Sequence, residues 1–305
     1  MNDPMKILVA EDDATSLFML QSLLEKWGYE TVALSDGVEA LSVLNGEDPP
    51  FLAILDWMLP GLSGPEICRR LRMGEEARKG RPYQYIIMLT VKGEKENVVA
   101  GLDAGADDYV TKPFDSQELQ MRIKVGERIL LLQEQLRKAA LYDALTGLPN
   151  RRAVIDGLEG EFARSERSGE SFAIALLDLD HFKEVNDRYG HLTGDSVLAE
   201  SARRIRSAVR SYDLVGRYGG EEFLLVFPGL KGDDALRICE RVCSVIEKKP
   251  FFPVPQQGSG TPFTVTASLG ICEWTPSSSG PDEMLMGADQ ALYRAKRKGR
   301  NAVCL

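Results

Sequence analysis

The chain has little that would mark an oxidised, zinc-structured or membrane-spanning protein. Its 305 residues hold five cysteines, Cys68, Cys239, Cys243, Cys272 and Cys304, scattered along the sequence. Cys239 and Cys243 sit four apart in a helical pattern, but no second pair and no nearby histidine completes a zinc site. The five are expected to be reduced cytosolic thiols. No apolar run approaches the ~20 residues of a membrane span. The opening MNDPMKILVAEDD lacks a basic segment and turns acidic at once, so no signal peptide is expected. Excess positive charge is missing too: the net charge is -9. That argues against a general binder of nucleic acid or anionic membrane. There is no internal repeat and no long low-complexity tract. What remains is an ordinary globular composition, 44% hydrophobic and 27% charged, expected in the cytoplasm, with length for about two domains.

The first part alternates apolar runs with amphipathic stretches: KILVA then TSLFMLQSLLEKWG, TVALS then VEALSVLNG, FLAILD then PEICRRLRMG, YIIMLT then KENVVAGLDAG, DDYVTK then SQELQMRIKV. Five strand-helix units predict an α/β domain over residues 1–124, a doubly wound five-stranded parallel sheet with helices on both faces. In such sheets the site lies at the carboxyl ends of the strands. Glu11, Asp12 and Asp13 follow the first run, Asp56 ends the third, Thr90 the fourth and Lys112 the fifth. The fold therefore gathers them. Crowded carboxylates repel one another, and a hard cation such as Mg²⁺ relieves that repulsion. A carboxylate beside the metal can attack a phosphoryl group, and a hydroxyl and an ammonium can hold its oxygens. Helix capping alone accounts for Asp13, but not for Asp56 and Lys112 together.

This pattern resembles a response-regulator receiver domain, of flavodoxin-like fold. The resemblance implies that Glu11 and Asp12, with Asp13 a further candidate, bind Mg²⁺ together with Asp56 and the Met58 carbonyl. Asp56 would be the phosphoacceptor, with Thr90 and Lys112 on the phosphoryl group, Tyr109 the switch aromatic, and a histidine kinase the donor. It also implies a cis Lys112–Pro113 bond. Val91 departs from the small residue usual in the family, and its bulk is expected to narrow access to Asp56.

From 115 to 141 there is no proline and one glycine, Gly126. Val125, Ile129, Leu132, Leu136 and Ala139 recur at coiled-coil spacing, which fits a dimerising connector helix. It also fits a helix resting on its own domain.

The stretch RYGGEEF, Arg217 to Phe223, puts two glycines before two carboxylates and an apolar run. Gly219–Gly220 reads as a two-residue hairpin turn, and glycine lets a backbone approach a ligand closely. Alone, an exposed acidic hairpin is the commoner meaning. Upstream, an apolar run ends in Asp178-Leu179-Asp180-His181-Phe182-Lys183 and continues through Asn186, Asp187, Gly190, His191, Gly194 and Asp195. Asp178 at a strand end can share a cation with Glu221. Asn186 and Asp195 can read a guanine edge, since a carboxylate accepts from N1–H and N2–H₂.

Taken together, DxDxFKxxND, GHxxGD and RYGGEEF resemble a GGDEF diguanylate cyclase domain over residues 143–305, with DALTGLPNRR and ALYRAKRKGRN at its ends. The resemblance implies a mixed sheet of nucleotidyl-cyclase type, a homodimer, and two GTP condensed into cyclic di-GMP. By motif, Asp178, the Leu179 carbonyl and Glu221 hold Mg²⁺. Glu221 is also the candidate base, and Glu222 takes a second ion. Phe182, Lys183, Asn186, His191 and Asp195 belong to the GTP site. Gly219 and Gly220 make room for phosphate, and Lys296 and Arg300, one helical turn apart, bind the outer phosphates. Asp195 argues against adenine. Arg210 and Asp213 form an RxxD before the glycine pair, implying a product-binding inhibitory site, with Arg164 and Arg241 as supporting arginines. Two other readings stay open: a degenerate cyclase serving as a cyclic di-GMP receptor, and a receiver-driven interaction protein.

Overall fold

In the computed structural model, the described residues are 4–73, 83–91, 102–254 and 261–305. They divide into two compact units, Met1–Arg137 and Lys138–Leu305.

The first unit is a five-stranded sheet in the order β2-β1-β3-β4-β5, from β1 (Lys6–Ala10), β2 (Glu30–Leu34), β3 (Leu52–Asp56), β4 (Tyr85–Val91) and β5 (Asp108–Lys112). All pairings are parallel, as the sequence predicts. Helix α1 (Ala14–Lys26) and the start of α4 (Ser116–Leu141) cover one face, through Leu20, Leu24, Leu119 and Ile123. α2 (Gly37–Leu44) and α3 (Gly64–Met73) cover the other, through Ala40, Leu44, Ile67 and Leu71. Most of the expected fourth helix, and the Val91 side chain, fall outside the described residues. The Lys112–Pro113 bond is cis.

Helix α4 is continuous across the expected connector and extends into the second unit's residues. Gly126 is buried there because a Cβ at that position would lie 2.6 Å from the Tyr85 ring. The predicted seam splits. Ile129 packs on the core of the first unit, whereas Val125, Leu132 and Leu136 remain exposed at 44%, 52% and 70%.

The second unit is a mixed sheet in the order β10-β9-β6-β8-β7, built from β6 (Phe172–Leu179), β7 (Leu214–Gly219), β8 (Glu222–Pro228), β9 (Ala267–Glu273) and β10 (Val303–Cys304). β6 is central and antiparallel to both β8 and β9. α6 (Phe182–Tyr189), α7 (His191–Ala208) and α8 (Gly232–Lys248) pack on one face. α5 (Arg151–Ser168) and α9 (Pro281–Arg297) pack on the other. Two local expectations change. The run FTVTASLGI becomes a strand only from Ala267, its earlier part making an isolated bridge, Phe251 with Phe263. The hairpin turn is Gly220–Glu221 rather than Gly219–Gly220, because an irregularity between Arg217 and Gly219 shifts the register and leaves Gly219 paired with Glu222.

The five cysteines are free thiols. Among the described residues, no helix is long and apolar enough to cross a membrane.

α9 lies unusually close to the sheet at Gly270, where a Cβ would fall 2.0 Å from the Leu292 nitrogen and 2.1 Å from the Ala288 oxygen. Both are backbone atoms and cannot rotate away. Gly270→Ala is therefore expected to destabilise the second unit by ~1–3 kcal/mol or more, read as a lower midpoint in urea unfolding.

Candidate functional site

The ends of β1, β3, β4 and β5 meet in an acidic pocket. Glu11 is 1% exposed and Asp56 7%. Lys112 reaches between them, its Nζ 2.6 Å from Glu11 Oε2 and 2.9 Å from Asp56 Oδ1. Burial pushes the Glu11 carboxyl up; Lys112 opposes this and the Asp56 charge adds to it. Burial lowers the Lys112 ammonium, but its bonds to Glu11 and Asp56 outweigh that and raise it. Glu11, Asp12 and Asp56 bring one oxygen each within 4.8 Å of one another. Hard oxygen donors this close suit a divalent cation.

Asp13 is not in that group. It caps α1, accepting from the Ser16 N–H at 2.8 Å, which is the capping role the sequence already allowed. Thr90 is buried and its hydroxyl has no protein partner, so a donor stands ready at the pocket. Met58 is 68% exposed, and the role expected of it belongs to its carbonyl. Tyr109 is half-buried against the α2–α3 core, with the Arg122 guanidinium 5.9 Å over its ring.

In the second unit, Asp178 at the end of β6 pairs in register with Glu222 of β8. The Leu179 N–H donates to the Glu221 carbonyl at 3.4 Å, holding the turn to β6. Lys296 on α9 places its Nζ 2.9 Å from Asp178 Oδ2. This ammonium, expected at the outer phosphates, thus lies against the strand-end carboxylate. Burial pushes the Glu222 carboxyl up, and the like charges of Asp178, Glu221 and Asp289 add to that while Lys296 opposes it. A cleft of about 410 Å³ runs between Glu222 and α9, lined also by Asp289, Gln290, Tyr293 and Lys296. A carboxyl raised in this way by neighbouring acids is a group that a divalent cation would relieve. Sequence reasoning missed Asp289, because an isolated acid on a helix carries no motif signal.

Asn186 packs on Gly194, the residue before Asp195. A Cβ on Gly194 would sit 1.9 Å from Asn186 Oδ1 and 3.3 Å from the Phe182 ring, so the Asn186 amide rests on this glycine beside Asp195. Phe182, grouped with the nucleotide residues by its motif, is in the core and supports Gly194 from within. Lys183, His191 and Asp195 are exposed. Lys296 and Arg300 are not on successive turns of one helix. α9 ends at Arg297, Gly299 has φ 110°, and Arg300 lies beyond it at φ 64°.

The RxxD pair is closed on itself. Asp213 is buried, accepting from the Arg210 N–H at 2.8 Å and from its guanidinium at 2.6 Å. Arg210 also donates to the Pro228 carbonyl and stacks over Tyr212. For Asp213 to accept from guanine, this pair must open. Arg241 donates to the Ala208 carbonyl at 2.8 Å, near Arg210 in the chain. Arg164 is engaged elsewhere, with Glu161 and Glu170.

A further link was not foreseen. Asp143 accepts from Thr146 and from Arg217 Nη1 at 3.1 Å, and Arg217 donates to the Gly220 carbonyl at 2.8 Å. The start of the second unit is thereby tied to the glutamate turn.

Residues 140–302, over half of the chain, match the family model "Diguanylate cyclase, GGDEF domain", and residues 7–124 match the response regulator receiver domain. The chain belongs to the GGDEF family, with a receiver domain preceding the family domain. It is 30% identical to the response regulator PleD of Caulobacter vibrioides over 98% of this chain, but spans only 65% of PleD. It is 42% identical to diguanylate cyclase DgcP of Pseudomonas aeruginosa over 55% of this chain and 24% of DgcP. Among solved structures, the coiled coil and GGDEF domain of DgcB from Caulobacter crescentus, in complex with c-di-GMP, is 32% identical with TM-score 0.56, covering 62% of this chain and 99% of that one.

Burial raises the Asp143 carboxyl, but hydrogen bonds from Thr146 and Arg217 outweigh it and hold it below its usual value. Its stabilising contribution is therefore complete above the usual carboxylate range and lost as pH falls through the lowered value. Asp143→Asn is expected to cost ~1–2 kcal/mol at pH 7 and to flatten the acid-side loss of stability, measured by urea unfolding across pH.

Proposed function

We propose that this chain is a phosphorylation-regulated diguanylate cyclase, condensing two GTP into cyclic di-GMP and two pyrophosphates. The observation carrying this reading is the convergence of Asp178, Glu222 and Lys296 where β6 ends and β8 begins, on a domain that also packs Asn186 on Gly194, the residue before Asp195. Asn186 and Asp195 read the guanine, and the carboxylate selects the N1–H that adenine lacks. Asp178, the Leu179 carbonyl and Glu221 would hold Mg²⁺, with Glu222 at a second ion. Such ions neutralise charge on the triphosphate and lower the pKa of a bound hydroxyl. Glu221, in the turn, takes the proton of the ribose 3′-OH. The 3′-oxygen then bonds to the α-phosphorus of the other nucleotide as the bond to pyrophosphate breaks, and the same exchange occurs in reverse between the pair. Gly219 and Gly220 leave room for the phosphates, which Lys296 and Arg300 bind, and Lys183 and His191 belong to the same nucleotide site.

One domain holds half of this reaction, so two copies must face each other. The exposed stripe of Val125, Leu132 and Leu136 on α4 supports a homodimer through this helix, and the DgcB structure likewise joins a coiled coil to its GGDEF domain. A histidine kinase would phosphorylate Asp56, in a pocket where Mg²⁺ is held by Glu11, Asp12, Asp56 and the Met58 carbonyl. The phosphoryl oxygens would then meet Thr90 and Lys112, and Tyr109 would follow. The change in the receiver pair passes along α4. Cyclic di-GMP returning to Arg210 and Asp213, with Arg241 alongside, would inhibit.

With GTP and Mg²⁺, the purified chain is expected to form cyclic di-GMP, and beryllium fluoride is expected to raise its rate. Asp56→Asn should keep the basal rate and lose the rise. An Asp56→Asn protein that still responds would sink the switch. Glu221→Ala is expected to lose about a hundredfold or more in product formation, and equal rates in the two proteins would remove Glu221 from the chemistry.

A further inference from the structure

Asp180 closes the Asp-x-Asp pair that Asp178 opens, yet none of the roles above uses it. It is 4% exposed. Its carboxylate meets three donors, all from the C-terminal part of the chain. Thr266 Oγ1 and the Asn301 N–H donate to Oδ2 at 2.8 and 3.0 Å, and Ser268 Oγ donates to Oδ1 at 2.7 Å. The Asp180 N–H in turn donates to the Thr266 carbonyl at 2.9 Å. A buried carboxylate bonded both to Thr266 and Ser268, which flank the first residue of β9, and to the Asn301 N–H clamps these two segments together at the end of β6.

Of the two, the segment around Asn301 is strained. Gly299, Arg300 and Asn301 have φ of 110°, 64° and 43°. A left-handed backbone brings Cβ against a carbonyl in any residue but glycine, and it persists only where the surroundings over-determine it. Here two consecutive residues with side chains adopt it. The Asn301 N–H bonds to Asp180, and the next residue's carbonyl accepts from the Leu269 N–H at 2.9 Å. Val303 and Cys304 then pair with Leu269 and Gly270 of β9. The turn thus hangs between Asp180 and the sheet, with the Arg300 side chain exposed at its apex.

We propose that Asp180 is a positioning residue: its buried carboxylate locks the left-handed turn 299–301 onto the strand that carries Asp178, and so aims Arg300 at the outer phosphates of the nucleotide. The identity of that nucleotide rests on the cyclase reading. The clamp itself does not. Asp180 touches no substrate. It converts the place where β6 ends into a fixed distance between the metal-binding carboxylate and a phosphate-binding guanidinium.

The test uses the full chain as wild type, Asp180→Asn, Arg300→Ala and the double variant. Two quantities are measured: hydrogen exchange over 298–302, and the Kd for GTP and for GMP with Mg²⁺. In Asp180→Asn the Asn301 amide should exchange faster, GTP should bind roughly tenfold more weakly and GMP within about twofold of wild type, one charge-assisted bond being lost. Arg300→Ala should give the same nucleotide pattern, and the double variant should bind GTP no more weakly than Arg300→Ala alone. Thr266→Val, which strips one donor from the carboxylate, should show a smaller version of the same pattern if Asp180→Asn folds poorly. Equal losses for GTP and GMP, or additive losses in the double variant, overturn the proposal. If wild type binds neither nucleotide, the cyclase reading falls and exchange decides alone: faster exchange at Asn301 upholds the clamp, and unchanged exchange overturns it.

Discussion

Both sites depend on holding carboxylates together against their own repulsion. Two unit charges ~4 Å apart repel by about 4 kcal/mol at the effective dielectric near a protein surface. The chain meets this cost in the same way twice, with one ammonium from a later element. Lys112, at the end of β5, sits between Glu11 and Asp56. Lys296, near the end of α9, sits against Asp178 across from Glu222. In each pocket the raised carboxyl, Glu11 or Glu222, is one that burial and a neighbouring acid disfavour as an anion. Such a pocket is poised for a divalent cation and for the phosphoryl oxygens that come with it.

The folds exist to create these meetings. In the first unit the parallel order brings four strand ends to one edge, so acids far apart in sequence face each other. In the second, antiparallel pairing sets the end of β6 opposite the start of β8, and the glutamate turn follows at once. α9 then delivers Lys296 because Gly270 lets the helix close on the sheet. Arg217 binds the turn carbonyl and Asp143 together. The start of the second unit and the turn that carries Glu221 thus share one guanidinium.

Much of this was legible in the sequence, for identifiable reasons. The five parallel strands, the strand-end acids and the glycine-glutamate turn follow from hydrophobic period and residue chemistry. What escaped was set by tertiary contacts. The shift of the turn to Gly220–Glu221 comes from an irregularity in β7 that no glycine count discloses. Lys296 and Arg300 read as helix neighbours by their spacing alone, although Gly299 between them is the residue type that ends helices. Ile129 belongs to a heptad by spacing, yet the receiver core claims it. Phe182 lies within a nucleotide motif but serves to pack Gly194. Asp289 and the Asp143–Arg217 link carry no signal outside the folded chain. Asp13 was ambiguous in sequence and proves to be a cap.

The most direct test of the central claim is the dependence of GTP affinity on Mg²⁺, measured by calorimetry on wild type and on Asp178→Ala. If these carboxylates hold a cation that bridges to the triphosphate, Mg²⁺ will tighten GTP binding by wild type and leave Asp178→Ala nearly unaffected. Binding of GTP by wild type that is equally tight with and without Mg²⁺ would contradict the account.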